Sequence, residues 1–226
     1  MTTLQLILNQ NLYLRDPQTT KLGKKIVRES IEMIDALGFE AFTFKKLALQ
    51  IESTEASVYR YFENKHKLLV YLITWYWSWL EYRIDFCTQN VKDPRQQLEI
   101  AINIVAGNKE HDNSFPNVNE VALFRIVVAE SDKTYHTKQV DEDNKDGLFR
   151  GFKSLCQKIA TYVSAVNPRY EFSHSLVSTV LQAAHQQLFF ATHLPSLTEL
   201  SADTEHIHEK NTEFLKSMIF SCIESR

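Results

Sequence analysis

The chain has 226 residues, 44% of them hydrophobic, with only five glycines and five prolines and a net charge of −3. That composition suits a buried core built from long uninterrupted helices, and it leaves little material for a glycine-rich phosphate loop. Three widely spaced cysteines (Cys87, Cys156, Cys222) form no paired motif, and no run of about 18 apolar residues occurs, so disulfide scaffolds and membrane spans are not expected.

The N-terminus, MTTLQLILNQNLYLRD, lacks the basic start and sustained apolar core of a secretion signal, and a cytoplasmic location is the expectation. Its leucines and isoleucine (Leu4, Leu6, Ile7, Leu8, Leu12, Leu14) are set to pack on another surface, either in the same chain or in a partner. With Arg15 as its only cation, this is not a basic arm for a minor groove.

Asp16-Pro17 reads as a cap followed by a helix-initiating proline. Leu22, Ile26, Ile31, Ile34 and Leu37 then keep helical spacing, which predicts a first helix from about Lys21 to Leu37, closed by Gly38. Thr43 caps a second helix whose buried stripe is Phe44, Leu47, Ala48 and Ile51. A third, from about Ala56 to Phe62, follows within a few residues. Asn64 caps a fourth, from His66 to roughly Gln89. After Asp93-Pro94, apolar periodicity returns near 94–106, 117–130, 147–166, 173–193 and 207–224, separated by GNKEHDNSFPN, DEDNKDG, VNPRYEFS and LPSLTELSAD. No stretch alternates as a strand does. The expectation is an all-α protein of about nine helices, without repeats.

Two short helices joined by a tight turn have helix-turn-helix spacing. Leu47 and the small Ala48 would face inward, with Val58 and Phe62 packing back on them. That leaves Glu55, Ala56, Ser57, Tyr59, Arg60 and Tyr61 around the start and outer side of the third helix, where base edges and phosphates could be met. Lys65, in the first turn of the fourth helix, adds a cation near free backbone amides. Residues 1–70 hold ten Lys/Arg against eight Asp/Glu, and the remainder fifteen against twenty, a split compatible with a DNA-facing N-terminal part.

The stretch FTFKKLALQIESTEASVYRYFENKHKLL, with IVRESIEMIDALGFEAFT ahead of it, resembles the DNA-binding segment of the TetR family of transcriptional regulators over about residues 24–70. The resemblance implies a DNA-binding part within residues 1–66, behind its N-terminal extension. It also implies a helical ligand-binding and dimerisation part over 67–226. The expected molecule is an Ω-shaped homodimer on a pseudo-palindromic operator, released by a small-molecule effector, most simply as a repressor. By the same resemblance Ser57, Tyr61 and Lys65 are phosphate contacts, Glu55, Ala56, Tyr59 and Arg60 face the groove, and Lys45 is a further DNA contact. Two positions depart from the family pattern. Glu52 stands where the turn usually has glycine, and Glu55 places a negative charge beside the DNA-facing surface. They support an alternative: a helical protein-interaction module that has lost specific DNA binding.

In YLITWYWSWLEYRIDF, Trp75, Trp79, Tyr82 and Phe86 recur at helical spacing, either as the wall of a ligand pocket or as core packing. Phe124, Phe152 and His185 join them as candidate ligand contacts, for a hydrophobic or amphipathic effector; His185 could equally be a core histidine. The stripes Leu176, Val180, Ala183/Ala184, Leu188, Ala191 and Ile207, Phe214, Leu215, Met218, Ile219, Ile223 suit close helix packing. The resemblance makes these last two helices the dimer interface, the alternative being an intramolecular core. The His206-x-His208 cluster has alternate residues pointing apart, so no metal is expected. No cofactor and no enzymatic activity are expected either, since GxSxG, HExxH and nucleotide-loop patterns are missing.

Overall fold

The computed structural model describes residues 4–202 and 204–224. Among these residues there is no β-strand, and eleven α-helices occur: α1 (Lys21–Leu37), α2 (Phe44–Gln50), α3 (Glu55–Tyr59), α4 (Lys65–Thr88), α5 (Pro94–Ala106), α6 (Glu120–Glu130), α7 (Asp132–Tyr135), α8 (Val140–Lys145), α9 (Arg150–Val166), α10 (Ser173–His193) and α11 (Ile207–Glu224). The count exceeds nine because the polar stretch between α6 and α9 forms two short helices. DEDNKDG, expected as a breaker, is mostly α8; with no apolar period of its own, it is helical by context. None of the helices is long and apolar enough, over the described residues, to cross a membrane.

Side-chain caps set the helix starts. Thr20 Oγ1 accepts the Gly23 N–H at 2.9 Å to open α1, and Thr43 Oγ1 accepts that of Lys46 at 3.2 Å to open α2. Asn64 Oδ1 accepts the Lys67 N–H at 2.8 Å at the start of α4, and Asp93 caps α5 ahead of Pro94. Asp16 does not begin α1. It caps a single 3-10 turn, Pro17–Thr19, and Thr20 then starts the helix proper. Gly38 ends α1 at φ 77°, a backbone setting that favours glycine.

The chain divides into two compact units, Met1–Ser78 with Lys109–Gly151, and Trp79–Asn108 with Phe152–Arg226. This cut by packing differs from the division by role at 66/67. In the first unit Ile26, Ile31, Phe42, Leu47, Val58 and Phe62 are fully enclosed. Every residue of α4 from Leu68 to Trp77 is buried, so this half of the helix is covered on all sides. Helix α6 is bonded to α1: Arg125 grips Asp35 with two hydrogen bonds, at 2.8 and 2.6 Å, and Asn119 donates to Glu32 at 2.9 Å. In the second unit α11 packs on α10 and α5, with Leu181, Ala184, Leu215 and Ile219 buried. The stripes on α10 and α11 are therefore partly an intramolecular core, and the buried Asn211 ties the two helices by donating to the Ala184 carbonyl at 2.8 Å. Phe214 and Phe172 remain exposed.

Candidate functional site

The turn between α2 and α3 is a helix stop followed at once by a helix start. The Ser53 N–H donates to the Ala48 carbonyl at 2.8 Å and that of Glu52 to Leu49 at 3.2 Å, the paired pattern that closes a helix on a left-handed residue. That residue is Glu52, at φ 54°. A side chain here costs about 1–2 kcal/mol, so Glu52→Gly is expected to raise stability by about 0.5–1 kcal/mol once glycine's greater unfolded freedom is deducted. Urea denaturation of the two proteins measures the difference. Thr54 then caps α3, its Oγ1 accepting the Ser57 N–H at 3.2 Å and meeting the Ser57 hydroxyl at 3.0 Å.

Helix α3 has one side in the core and one in solvent. Val58 is fully buried, as is Phe62 just beyond, while Glu55, Ala56 and Arg60 are exposed and Ser57 is half-buried. The Tyr59 ring meets Phe44 edge-on at 5.0 Å and stays 47% exposed, which props it outward. Lys45 of α2 is exposed, as is Leu49, which lies outside the Phe44–Leu47–Ala48–Ile51 stripe. Neither the Lys45 nor the Arg60 side chain has a hydrogen bond or ion pair among the described residues, so both cations are available to an outside anion.

Two expected contacts sit differently. Tyr61 points inward: its ring is 2% exposed and its hydroxyl lies 2.7 Å from Thr20 Oγ1. It lies just past the end of α3, beside Phe62 and against Thr20 at the start of α1, and from this position it supports the outward residues. Lys65 folds back on the turn after α1. Its ammonium donates to the carbonyls of Phe39 and Glu40, at 3.2 and 3.4 Å, and stands 4.7 Å from the Phe39 ring centre. It would have to exchange those partners for a phosphate.

The same turn is held from α6 and α7. Glu130 accepts the Phe39 N–H at 3.1 Å, and Lys133 bridges Glu130 and Glu40 at 2.8 Å each. The Glu130 hydrogen bond, then that of Glu40, raises the Lys133 ammonium above the usual lysine range, while the Lys133 hydrogen bond lowers Glu40. Sequence reasoning missed this cluster, because Glu130 and Lys133 lie some ninety residues from the turn they hold.

With this geometry in view, known proteins can be compared. Residues 26–72 match the family described as bacterial regulatory proteins, tetR family. Over that segment the chain is TetR-like. No match is found among curated proteins. Among solved structures, AibR in complex with isovaleryl coenzyme A and operator DNA is similar at TM-score 0.58 and 13% identity, over 87% of this chain and 98% of that one. The ketosteroid transcriptional regulator KstR2 of Mycobacterium tuberculosis is similar at 0.54 and 12%, over 89% and 95%. The fatty acid degradation regulator FadR from Bacillus halodurans is similar at 0.54 and 12%, over 86% and 93%. At such identities the likeness is one of fold.

The matched segment ends part-way along α4, and the candidate ligand residues beyond and around it are spread over both compact units. Trp75 and Phe124 belong to the first, and Trp79, Tyr82, Phe86, Phe152 and His185 to the second. Trp75 is buried and meets Phe115 edge-on at 5.3 Å; Phe124 is stacked on Tyr76 at 6.1 Å with the Lys109 ammonium 4.8 Å away. Trp79 is fully enclosed, with the Arg83 guanidinium 5.2 Å from its ring. Tyr82 and Phe152 are half-buried, His185 is 3% exposed, and Phe86 is 70% exposed at the far end of the helix. The regular spacing on α4 thus spans fully packed and open environments.

Proposed function

We propose that the protein is a ligand-responsive DNA-binding transcriptional regulator, a repressor released from a pseudo-palindromic operator by a small hydrophobic or amphipathic effector. The observation that carries this reading is the display of α3: Glu55, Ala56, Tyr59 and Arg60 face solvent while Val58 and Phe62 anchor them from behind. Ser57 and Lys45 supply flanking polar and cationic groups, and Lys65 joins them on release from the turn at Phe39. The regulator works as a homodimer through α10 and α11, where exposed Phe214 offers apolar surface for a second copy, with recognition helices roughly 34–36 Å apart. It acts in the cytoplasm. The hydrogen bonds joining α6 to α1, and those holding Phe39 and Glu40, support a path by which a change elsewhere in the first unit reaches the DNA-facing helices.

The second reading, a protein-interaction module without DNA binding, is favoured by exposed Glu55 and the strained Glu52 turn. Fluorescence anisotropy with a random duplex separates the two. A regulator is expected to bind at low salt and to lose affinity steeply with added salt, because phosphate neutralisation releases counterions. A module without DNA binding gives no salt-dependent signal.

A further inference from the structure

The N-terminal extension is a strap built into the first unit. The Leu4 N–H donates to the Ser114 carbonyl at 3.1 Å, and the Asn9 amide donates to the carbonyls of Asp146 and Gly147 at 2.7 and 2.8 Å. Leu8 and Leu12 are buried, Leu12 completely. Two glycines make room for it. A Cβ on Gly23 would lie 2.4 Å from the Pro17 carbonyl oxygen, and one on Gly147, at φ +74°, would lie 2.8 Å from Asn9 Nδ2. At its end the strap holds the recognition helix. The Leu14 N–H donates to the Tyr61 carbonyl at 2.8 Å, and the Arg15 guanidinium stands 5.5 Å from the Tyr61 ring centre.

Between the strap and the helices beneath it lies a cavity of about 40 Å³. Leu4 and Pro17 contribute to it from the strap; Val27, Tyr71, Trp75, Phe115 and Val118 form apolar walls. Lys24 and Asn117 also line it. Both are half-buried, and neither side chain has a hydrogen bond or ion pair among the described residues. An apolar space beside an uncommitted cation and amide matches one ligand chemistry, a short alkyl chain ending in a carboxylate.

We propose that this cavity is a binding site for small aliphatic carboxylates, with the alkyl end against Tyr71, Trp75 and Phe115 and the carboxylate on Lys24 and Asn117. The strap supplies part of the site and also holds the end of α3, so occupancy is transmitted to the DNA-facing surface. This last step rests on the regulator reading above; the binding itself does not.

The test titrates the full chain with propionate and with propan-1-ol by isothermal titration calorimetry, using wild type, Lys24→Met and the cavity-filling Val118→Leu. Thermal melts establish that each variant is folded. Propionate is expected to bind the wild type saturably and to weaken about tenfold or more in Lys24→Met, as loss of a hydrogen-bonded charge partner implies. Propan-1-ol should be unaffected by that change, and Val118→Leu should weaken both. Absence of saturable propionate binding, or binding unchanged in either variant, overturns the proposal, and so does an equal loss of propan-1-ol in Lys24→Met. Anisotropy with a random duplex, with and without propionate, is read separately. A chain that binds propionate but never DNA fails as a regulator and keeps the site.

Discussion

Replacing Phe62 by alanine is expected to cost about 3–5 kcal/mol of stability, the range for deleting a buried aromatic side chain. Phe62 is fully enclosed and meets Tyr71 of α4 edge-on at 5.2 Å. It therefore joins α3 to the most thoroughly buried stretch of the molecule, and the cavity left behind would be lined by rigid rings that collapse poorly. A helix of five residues has almost no stability of its own, so α3 depends on such contacts to exist. The measurement is chemical denaturation of the variant against wild type. A loss under 1 kcal/mol would mean that α3 is not anchored through this ring. DNA affinity should fall with stability in this variant, which makes it the counterpart of a change that affects DNA alone.

That change is Arg60→Ala. Operator affinity is expected to drop by about 1–3 kcal/mol if the guanidinium reads a guanine edge, and denaturation midpoints should hardly move. The separation follows from placement: Arg60 is exposed, closes α3 as its C-terminal cap residue, and its side chain makes no hydrogen bond or ion pair among the described residues. Nothing in the fold loses a partner when it is truncated. Gel-shift titration on a selected operator is the measurement. Undiminished affinity would remove Arg60 from base reading, and a loss equal across all sequences would reassign it to phosphate.

Much of the helical layout was legible because its signals are local. The period of Ile26, Ile31 and Ile34 with the cap at Thr20 and the stop at Gly38 puts α1 where the pattern predicts, and Asp93-Pro94 does the same for α5. The TetR resemblance at residues 24–70 meets the family match at 26–72, since short-range spacing in a helix-turn-helix survives as a readable string. Tyr61 shows where such reading ends. Tyr59 and Arg60 just before it face solvent, yet it is buried by contacts with Thr20 and the strap, forty-odd residues away. Lys65 was legible as a cation at a helix start, but its hold on Phe39 and Glu40 depends on how a distant turn comes to lie against it. The α4 aromatics show the same limit: a periodic string names one face of a helix, and neighbours decide whether each position is covered.

The sequence alone determined the long helices, most of their caps and the outward-facing residues of α3, because capping, periodicity and turn chemistry act over a few residues; the short α8 is helical by context. Tertiary structure decided that Tyr61 is buried against Thr20, that the apolar extension seats on its own chain beside Gly23 and Gly147, and that Lys24 faces a cavity with Trp75 and Phe115. Burial and charge pairing are set by whichever surfaces are brought together in space, and that information lies between segments and not within any one of them.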